Sequence, residues 1–564
     1  MSFETCLPGT LLACDDRAAE LRRLAREAVA VDLDTRQLCD LEMLLTGGFA
    51  PLTGYLGRAD RAAVLRDMRL ADGRLWPMPL SLDLDEAAAA RLSPGSLAVL
   101  RDREGFALAA LTVEELWRPD AAAEARALFG DFDPAGHPGL ARWLLRAAER
   151  PWLVSGRVEG LALPQHFDAV DLRLTPAETL PRFARMGWRN VLGCHAERPL
   201  HRAERDALLA AARHCRAGIF VQAVADEPLP LEVGHFVRVR CFREFFRAFP
   251  PGVAQLGLAP LAGWHAGPRE VLWHALVRGN YGCTHFAVDE RQCSPNGSNL
   301  YPEGEAMALL ARHAAESGVA PVALEPQRWS PAARSFAPAA QAGPDDPAPL
   351  DPAELRRRLD LDLEVPDWFT FPGVLEELRQ AYPPRHRQGF TVFFTGLSGA
   401  GKSTLAKILH VKLLEIQHRP VTLLDGDIVR THLSKKLGFS REDREINVQR
   451  IGFVASEITK NGGIAICAPI APYETSRRIN RELIAQGGGY VEVFVSTPLS
   501  VCEGRDPKGL YAKARAGLVR GVTGVDDPYE PPAAPDLVVD ASDLSPAEGV
   551  RRVLDHLEAL GYIH

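Results

Sequence analysis

The segment Thr391-Val392-Phe393-Phe394-Thr395-Gly396-Leu397-Ser398-Gly399-Ala400-Gly401-Lys402-Ser403-Thr404 sets a continuous apolar run directly against a glycine-rich turn ending in Lys-Ser-Thr. An unbroken apolar run bounded by a turn predicts a strand buried on both faces, as in a parallel sheet. The turn fits the pattern G-x-x-x-x-G-K-[ST], which cradles phosphates. Its chemistry explains its composition. Gly396, Gly399 and Gly401 let the backbone bend so that N–H groups, including those of Ser398 and Ala400, point inward at phosphate oxygens. The helix that follows adds its positive dipole end. Lys402 then reaches the β- and γ-phosphates, the Ser403 hydroxyl ligates magnesium, and Thr404 continues the helix start. A Gly-rich turn arising by chance would lack this strand-and-helix context.

The same alternation extends outward. Val421–Leu424, Ile464–Ala468, Val491–Val495 and Leu537–Val539 read as further buried strands. Leu405, Ile408, Leu409, Leu413 and Ile416 form the apolar face of the helix after the loop. Ser545-Pro546-Ala547-Glu548 is a capping box opening a last helix, with Val550, Val553, Leu554 and Leu557 as its stripe. Strands alternating with helices predict a doubly wound parallel sheet. Before it, Ser330 to Leu350 is rich in Ala and Pro without helical or strand period and reads as a linker. The N-terminal part reads as short strands and helices up to about Leu163. A second α/β region then opens at the capping box Thr175-Pro176-Ala177-Glu178.

A chain of 564 residues implies several domains. With 46% hydrophobic and 24% charged residues it has an ordinary globular composition, and its net charge of −8 argues against a general nucleic-acid binder. No apolar run approaches the roughly 20 residues that span a bilayer, and the start MSFETCLPGT lacks the pattern of a signal peptide. The expected compartment is the cytoplasm. The ten cysteines include no C-x-x-C pair and read as small buried hydrophobes.

The second strand runs into Leu424-Asp425-Gly426-Asp427-Ile428-Val429-Arg430. A carboxylate at the end of that strand faces the ligand crevice, where it can accept a hydroxyl proton or help to hold magnesium. Asp-Gly-Asp is also turn-prone, so a solvated turn fits the residues equally well. The motifs Leu437-Gly438-Phe439-Ser440-Arg441-Glu442-Asp443-Arg444, Asn447, Ala468-Pro469-Ile470-Ala471-Pro472-Tyr473, Arg505-Asp506-Pro507-Lys508-Gly509-Leu510-Tyr511 and Thr523-Gly524-Val525-Asp526-Asp527-Pro528-Tyr529-Glu530 follow in order. Over Gln388–His564 the chain resembles the adenosine 5′-phosphosulfate (APS) kinases. The resemblance implies ATP and Mg2+ as cofactors and APS as acceptor. It implies that Asp427 orients and deprotonates the 3′-hydroxyl, working with Lys402. It also implies that Arg430, Phe439, Arg444, Asn447, Ile470, Ala471, Lys508 and Thr523 line the substrate pocket, with Phe439 stacking on the APS adenine. Arg505 to Gly517 resembles a mobile lid, with Arg505 near the ATP base. Many family members have serine where Ala471 stands, and an aromatic residue where Val522 stands. Ala471 cannot carry phosphate, so transfer directly to APS is the route consistent with this sequence.

The first 380 or so residues resemble ATP sulfurylase, on Leu41–Tyr55, Met68–Gly73 and Asn280–Phe286. The family's Q-x-R-N-P-x-H-x-x-H reads here His195-Ala196-Glu197-Arg198-Pro199-Leu200-His201-Arg202-Ala203-Glu204, which keeps only Pro199 and His201. Asp289–Ser294 replaces G-R-D-H-A-G, and no position is retained. A carboxylate where an anion must sit costs roughly 4 kcal/mol at about 4 Å and an effective dielectric near 20, or about three decades in binding. The expected organisation is α/β throughout. It comprises a PUA-like mixed β domain at 1–164, a Rossmann-like nucleotidyltransferase domain at 165–328, a linker region at 329–386 and a P-loop kinase domain at 387–564. The expected function is APS kinase, with sulfate adenylyltransferase activity lost from the N-terminal region. A truly bifunctional enzyme and a non-catalytic nucleotide sensor are the alternatives. Expected partners are ATP and APS, with neither nucleic acid nor membrane, in a homo-oligomer with kinase-domain dimers, up to a hexamer.

Overall fold

The structure is a computed structural model that describes residues 10–225, 233–289, 300–416, 418–507 and 509–564. Two compact units result. One holds Met1–Pro352 with Pro366–Leu378, the other Ala353–Val365 with Arg379–His564.

The second unit is built on a five-stranded parallel sheet. Its order across the sheet is Val421–Asp425, Ile464–Ala468, Phe390–Thr395, Gly489–Val495 and Leu537–Val539. The strand leading to the glycine turn is central, and each of its six residues is buried. This accounts for its uninterrupted apolar composition, since both faces are covered. The two edge strands differ from the expectation of full burial. Val421, Thr422 and Leu423 are only half-buried and Val538 is exposed, because an edge strand has a neighbour on one side only. The helix Lys402–Ile416 sets Leu405, Leu409 and Leu413 into the core, with Ile408 part-buried against it. Ile416 departs from the expected stripe, being exposed at the helix's last turn. The last helix, Pro546–Ala559, has the expected capping box: the Ser545 N–H bonds the Glu548 carboxylate at 2.8 Å.

The first unit carries two sheets. A six-stranded mixed sheet is built around the long antiparallel pair Ala107–Trp117 and Trp152–Gly160. A second sheet is all-parallel, ordered Ala320–Ala323, His285–Val288, Val191–Ala196, Gly218–Val224 and Ala254–Ala259. A core containing Phe49, Trp76, Phe220 and Trp273 joins the two sheets. The capping box at Thr175 opens the helix Pro176–Arg185 as expected. The stretch read as a linker without helical or strand period carries secondary structure. Gln327–Ser330 and Ser335–Pro338 form a hairpin, and helices follow at Pro352–Asp360 and Pro372–Ala381. Four-residue strands are too short for a period to show, and Trp329 is fixed by stacking on Trp368, 5.8 Å between centroids.

In both parallel sheets the chain order reverses beside the first strand. Such a reversal opens a crevice at the strands' carboxyl ends. One crevice lies at Thr395–Gly396, the other at Ala196–Glu197.

Leu409 is fully buried between the central sheet and the last helix. Leu409→Ala should therefore destabilise the second unit by about 2–5 kcal/mol, read from its denaturant midpoint.

Candidate active site

At the first crevice the central strand ends and the helix Lys402–Ile416 begins within a turn of six residues. Gly396 has φ 146°, and a Cβ there would stand 2.5 Å from the carbonyl oxygen of Val495. Gly401 has φ 112°. No L side chain adopts either position without strain. Outside residues prop the turn. Thr497 Oγ1 donates to the Ala400 carbonyl at 2.9 Å and Tyr511 Oη donates to that of Ser398 at 2.9 Å. Contrary to the sequence expectation, the Ala400 N–H is taken by the Leu397 carbonyl at 3.2 Å, closing the turn on itself, and the Gly396 N–H by that of Ile470 at 3.4 Å, so the other N–H groups of the turn are the ones left for an anion. Lys402 is buried, and its Nζ donates to the carbonyls of Gly396 at 2.9 Å and Leu397 at 2.7 Å. The ammonium thus lies folded against the loop it serves. Ser403 is part-buried on the first helical turn and Thr404 is exposed.

Asp427 lies in the short helix Gly426–His432 that follows the second strand, and its side chain is outside the described residues, as is Lys508 altogether. The other expected pocket residues form one connected set. The Arg430 guanidinium lies over the Phe439 ring, 4.4 Å from its centroid, and Phe439 is 68% exposed, presenting a bare aromatic face. Arg444 Nε donates to the Phe439 carbonyl at 2.9 Å. Its Nη1 bonds Thr523 Oγ1 and, at 2.7 Å, the Asp527 carboxylate, and its Nη2 bonds the Gly521 carbonyl. Asn447 is one turn along the same helix. It is buried, and its Oδ1 has no protein hydrogen-bond partner. A buried amide oxygen without a partner is costly and is a natural contact for a donor on a ligand. Ile470 and Ala471 offer carbonyls to Thr395 Oγ1, at 2.8 and 3.2 Å, which joins this wall to the central strand. Ala471 has φ 45°, an uncommon conformation for a residue with a side chain. Arg505 is anchored through Nη2 to the carbonyls of Ala541 at 2.6 Å and Ser542 at 3.2 Å.

Three residues of this wall were not assigned roles from sequence. Asp527 holds Arg444 and accepts from the Tyr473 hydroxyl at 3.1 Å, while Tyr529 bonds Thr395 Oγ1 at 2.9 Å. The run Asp526-Asp527-Pro528-Tyr529 is visible in the sequence, but only folding shows that it reaches Arg444 and Thr395.

At the second crevice the residues at the end of Val191–Ala196 form a linked chain, while Arg278 Nε and Nη1 and Arg238 Nε are buried without a hydrogen-bond partner among the described residues. Arg278 Nη2 donates to His195 Nδ1 at 2.7 Å, and His195 Nε2 lies 2.7 Å from Glu197 Oε1. With Nδ1 accepting, Nε2 carries the proton and donates it to the carboxylate. Burial, with Arg278 beside it, takes His195 down to about 4, so a neutral ring bridges a cation and an anion. Burial works against Glu197, but its bond with His195 and the Arg238 charge hold it at about 2. Arg238 also donates to the Glu197 carbonyl at 2.9 Å. The His195 ring rests on that of His274 at 3.7 Å. Arg198, 41% exposed at its side chain, lies 3.7 Å from Asp289 and 3.9 Å from Glu204. Glu204 accepts the His201 N–H at 3.1 Å as a helix cap. His201 itself is packed, with Nδ1 2.8 Å from Thr370 Oγ1 and its ring on Phe369. Of the replaced second motif only Asp289 is described; residues 290–294 lie outside the described residues.

Comparison with known proteins gives a consistent result. A PUA-like domain model matches residues 9–163, an ATP-sulfurylase model residues 170–381 and an adenylylsulphate kinase model residues 388–540. A protein of Mycosarcoma maydis named sulfate adenylyltransferase is 42% identical over 97% of this chain and 96% of its own length. One of Chaetomium globosum with the same name is 42% identical over 98% and 97%. A solved structure, a hexameric APS kinase from Thiobacillus denitrificans, aligns with TM-score 0.80 and 38% identity over 98% of this chain and 97% of its own.

Burial pushes His201 down to about 4 from an ordinary value near 6.5. The folded state then refuses a proton that the unfolded chain accepts below about pH 6.5. Stability is lost as pH falls from there toward 4, by up to about 3 kcal/mol for this one group. Thermal melts of the first unit should show that acid loss, and His201→Asn, which keeps a polar side chain that does not titrate, should make it shallower by His201's share.

Proposed function

The chain belongs to the family in which PUA-like, ATP-sulfurylase and APS kinase domains share one polypeptide, and from that premise we propose that it transfers the γ-phosphoryl group of ATP to the 3′-hydroxyl of APS. One observation carries the reading most directly. An intact phosphate loop with a buried Lys402 stands on the same sheet edge as a pocket of Arg430, Phe439, Arg444 and the unpartnered Asn447.

ATP and Mg2+ are the cofactors. Magnesium neutralises charge on the β- and γ-phosphates. The donor set suits it: the Ser403 hydroxyl is the protein ligand expected on the helix's first turn. Among the described residues no group of three or more His, Cys, Asp or Glu side chains gathers to hold a metal. Lys402 exchanges two loop carbonyls for the β- and γ-phosphates. Phe439 offers its face to the adenine of APS, and Arg430 and Arg444 neutralise the phosphosulfate. Asp427 takes the proton as the 3′-oxygen forms its bond to the γ-phosphorus. The bond from that phosphorus to the β–γ bridging oxygen breaks, and ADP leaves with the electron pair. The products are ADP and 3′-phosphoadenylyl sulfate. With Ala471 in the pocket, no phosphoenzyme step intervenes. The hexameric relative supports a homo-oligomer, and the kinase domain is assigned to 387–564. Small-molecule substrates and a cytoplasmic setting complete the proposal.

For the second crevice, the Arg278–His195–Glu197 chain supports loss of sulfate adenylyltransferase activity, because Glu197 brings its own negative charge to the mouth of the parallel sheet. The names of the 42%-identical relatives favour a second reading, in which both reactions occur. Two assays separate them. ADP formation should require both ATP and APS and should vanish in Lys402→Ala, and Asp427→Asn should lower it about 10²–10⁴-fold. Wild-type protein without such turnover would favour a sensor. Pyrophosphate release from ATP should not respond to sulfate, and robust sulfate-dependent release would establish the bifunctional reading.

A further inference from the structure

Beside the second crevice, where Gly263 lies against Glu197 and Trp264 follows it, the first unit has a half-open cavity of about 140 Å³. The helices Thr35–Leu45 and Pro138–Glu149, the strand Leu82–Leu84 and the loop residue Trp264 contribute to its lining. Most of its charge is matched. Arg61 is held by both Glu124 oxygens at 3.0 and 2.7 Å, Arg146 bridges Asp83 at 2.6 Å and Asp34 at 2.9 Å, and Arg118 pairs with Glu86.

Two lining groups, Arg36 and Asp40, feel each other's charge along one helix face but form no hydrogen-bonded ion pair. Arg36 lies flat over the Trp264 indole, 3.8 Å from its centroid, and among the described residues no carboxylate stands within ion-pair distance of it. Asp40 is one helical turn further along the same face. It is 4% exposed, and its Oδ1 is buried with no protein hydrogen-bond partner. The indole N–H groups of Trp143 and Trp264, both in the lining, are likewise buried without protein acceptors. Buried donors and acceptors are rarely left unpaired in native proteins. Here a cation and two N–H donors gather around apolar indole walls. Burial pushes Asp40 up to about 7, against the pull of Arg36 and Arg146 and with the push of Asp83 and Asp34; the Tyr55 phenol also faces it. Near neutrality Asp40 is therefore half protonated and able to donate as well.

We propose that this cavity binds a small organic monocarboxylate with a flat apolar body. The carboxylate sits on the edge of the Arg36 guanidinium and beside the Asp40 carboxyl, and the body lies against Trp143 and Trp264. A planar guanidinium fork matches a carboxylate in two parallel bonds. The size limits the body: an engineered apolar cavity of about 150 Å³ holds benzene. A bare inorganic oxyanion would satisfy Arg36 but leave the indole walls uncovered. The site is independent of the kinase reading.

The test is isothermal titration calorimetry on the full chain, with benzoate as the probe and inorganic sulfate as the comparison. Benzoate should bind at pH 6 and quench tryptophan fluorescence. Its affinity should fall about tenfold at pH 8, where Asp40 is ionised. Arg36→Gln should weaken it at least tenfold, and Asp40→Asn should bind nearly equally at both pH values. Ala147→Phe, which adds bulk at a lining alanine and removes no polar group, should abolish binding even if Arg36→Gln fails to fold. Absence of benzoate binding at pH 6, binding unchanged in a folded Arg36→Gln or in Ala147→Phe, or sulfate binding as tightly at the same residues would each overturn the proposal.

Discussion

A buried parallel strand that must end in a tight turn is the constraint on which the kinase unit depends. Phe390–Thr395 is hydrogen-bonded on both edges and covered on both faces, so its position is fixed by the whole sheet. The chain then has only Gly396–Gly401 in which to start a helix on one face. Side chains are excluded where φ reaches 146° and 112°, and the loop's carbonyls are tied back by Thr497 and Tyr511. What remains on the inside is a row of backbone N–H groups, the positive end of a helix and one buried ammonium. Phosphate affinity follows from that geometry rather than from any single side chain. The acceptor wall depends on the same strand, because Thr395 holds Ile470, Ala471 and Tyr529.

The first unit repeats the architecture and reverses the electrostatics. Its parallel sheet also changes direction beside its first strand, so it too opens a crevice at the strand ends. There the basic groups are engaged by the protein's own side chains, though Arg278 Nε and Nη1 make no hydrogen bond among the described residues. Arg278 spends its charge on His195, His195 donates to Glu197, and Arg198 lies between Glu204 and Asp289. The sheet and the charges at its mouth are thus set by different residues. Fold and function are carried by different residues, and the core around Phe49 and Trp273 constrains the former without regard to the latter.

Much of this was legible in the amino-acid sequence, and the limits have physical causes. Strands buried on both faces announce themselves by unbroken apolar runs, and capping boxes at Thr175 and Ser545 mark helix starts because two local bonds suffice to make them. Edge strands were read as more buried than they are, since composition does not reveal which strand ends the sheet. The hairpin Gln327–Ser330 with Ser335–Pro338 escaped notice because its strands are shorter than any usable period and are held by Trp368, some 40 residues away. In the site, Arg444 and Asn447 share a helix face and could be anticipated, whereas Asp527 reaching Arg444 and Arg278 reaching His195 are contacts between residues over 80 positions apart. The cavity beneath Arg36 and Asp40 has no motif at all, because it is defined by what six separated segments leave uncovered.

The central claim is that one crevice is equipped for phosphoryl transfer and the other has filled its own anion place. Tracer incubation of the full chain tests both together. With [γ-32P]ATP and APS, label should appear in 3′-phosphoadenylyl sulfate. With unlabelled ATP and [35S]sulfate, no labelled nucleotide should form until a separate ATP sulfurylase is added. Formation of 35S-labelled nucleotide by this chain alone would contradict the account of Glu197, and absence of 32P transfer to APS would contradict the account of the phosphate loop.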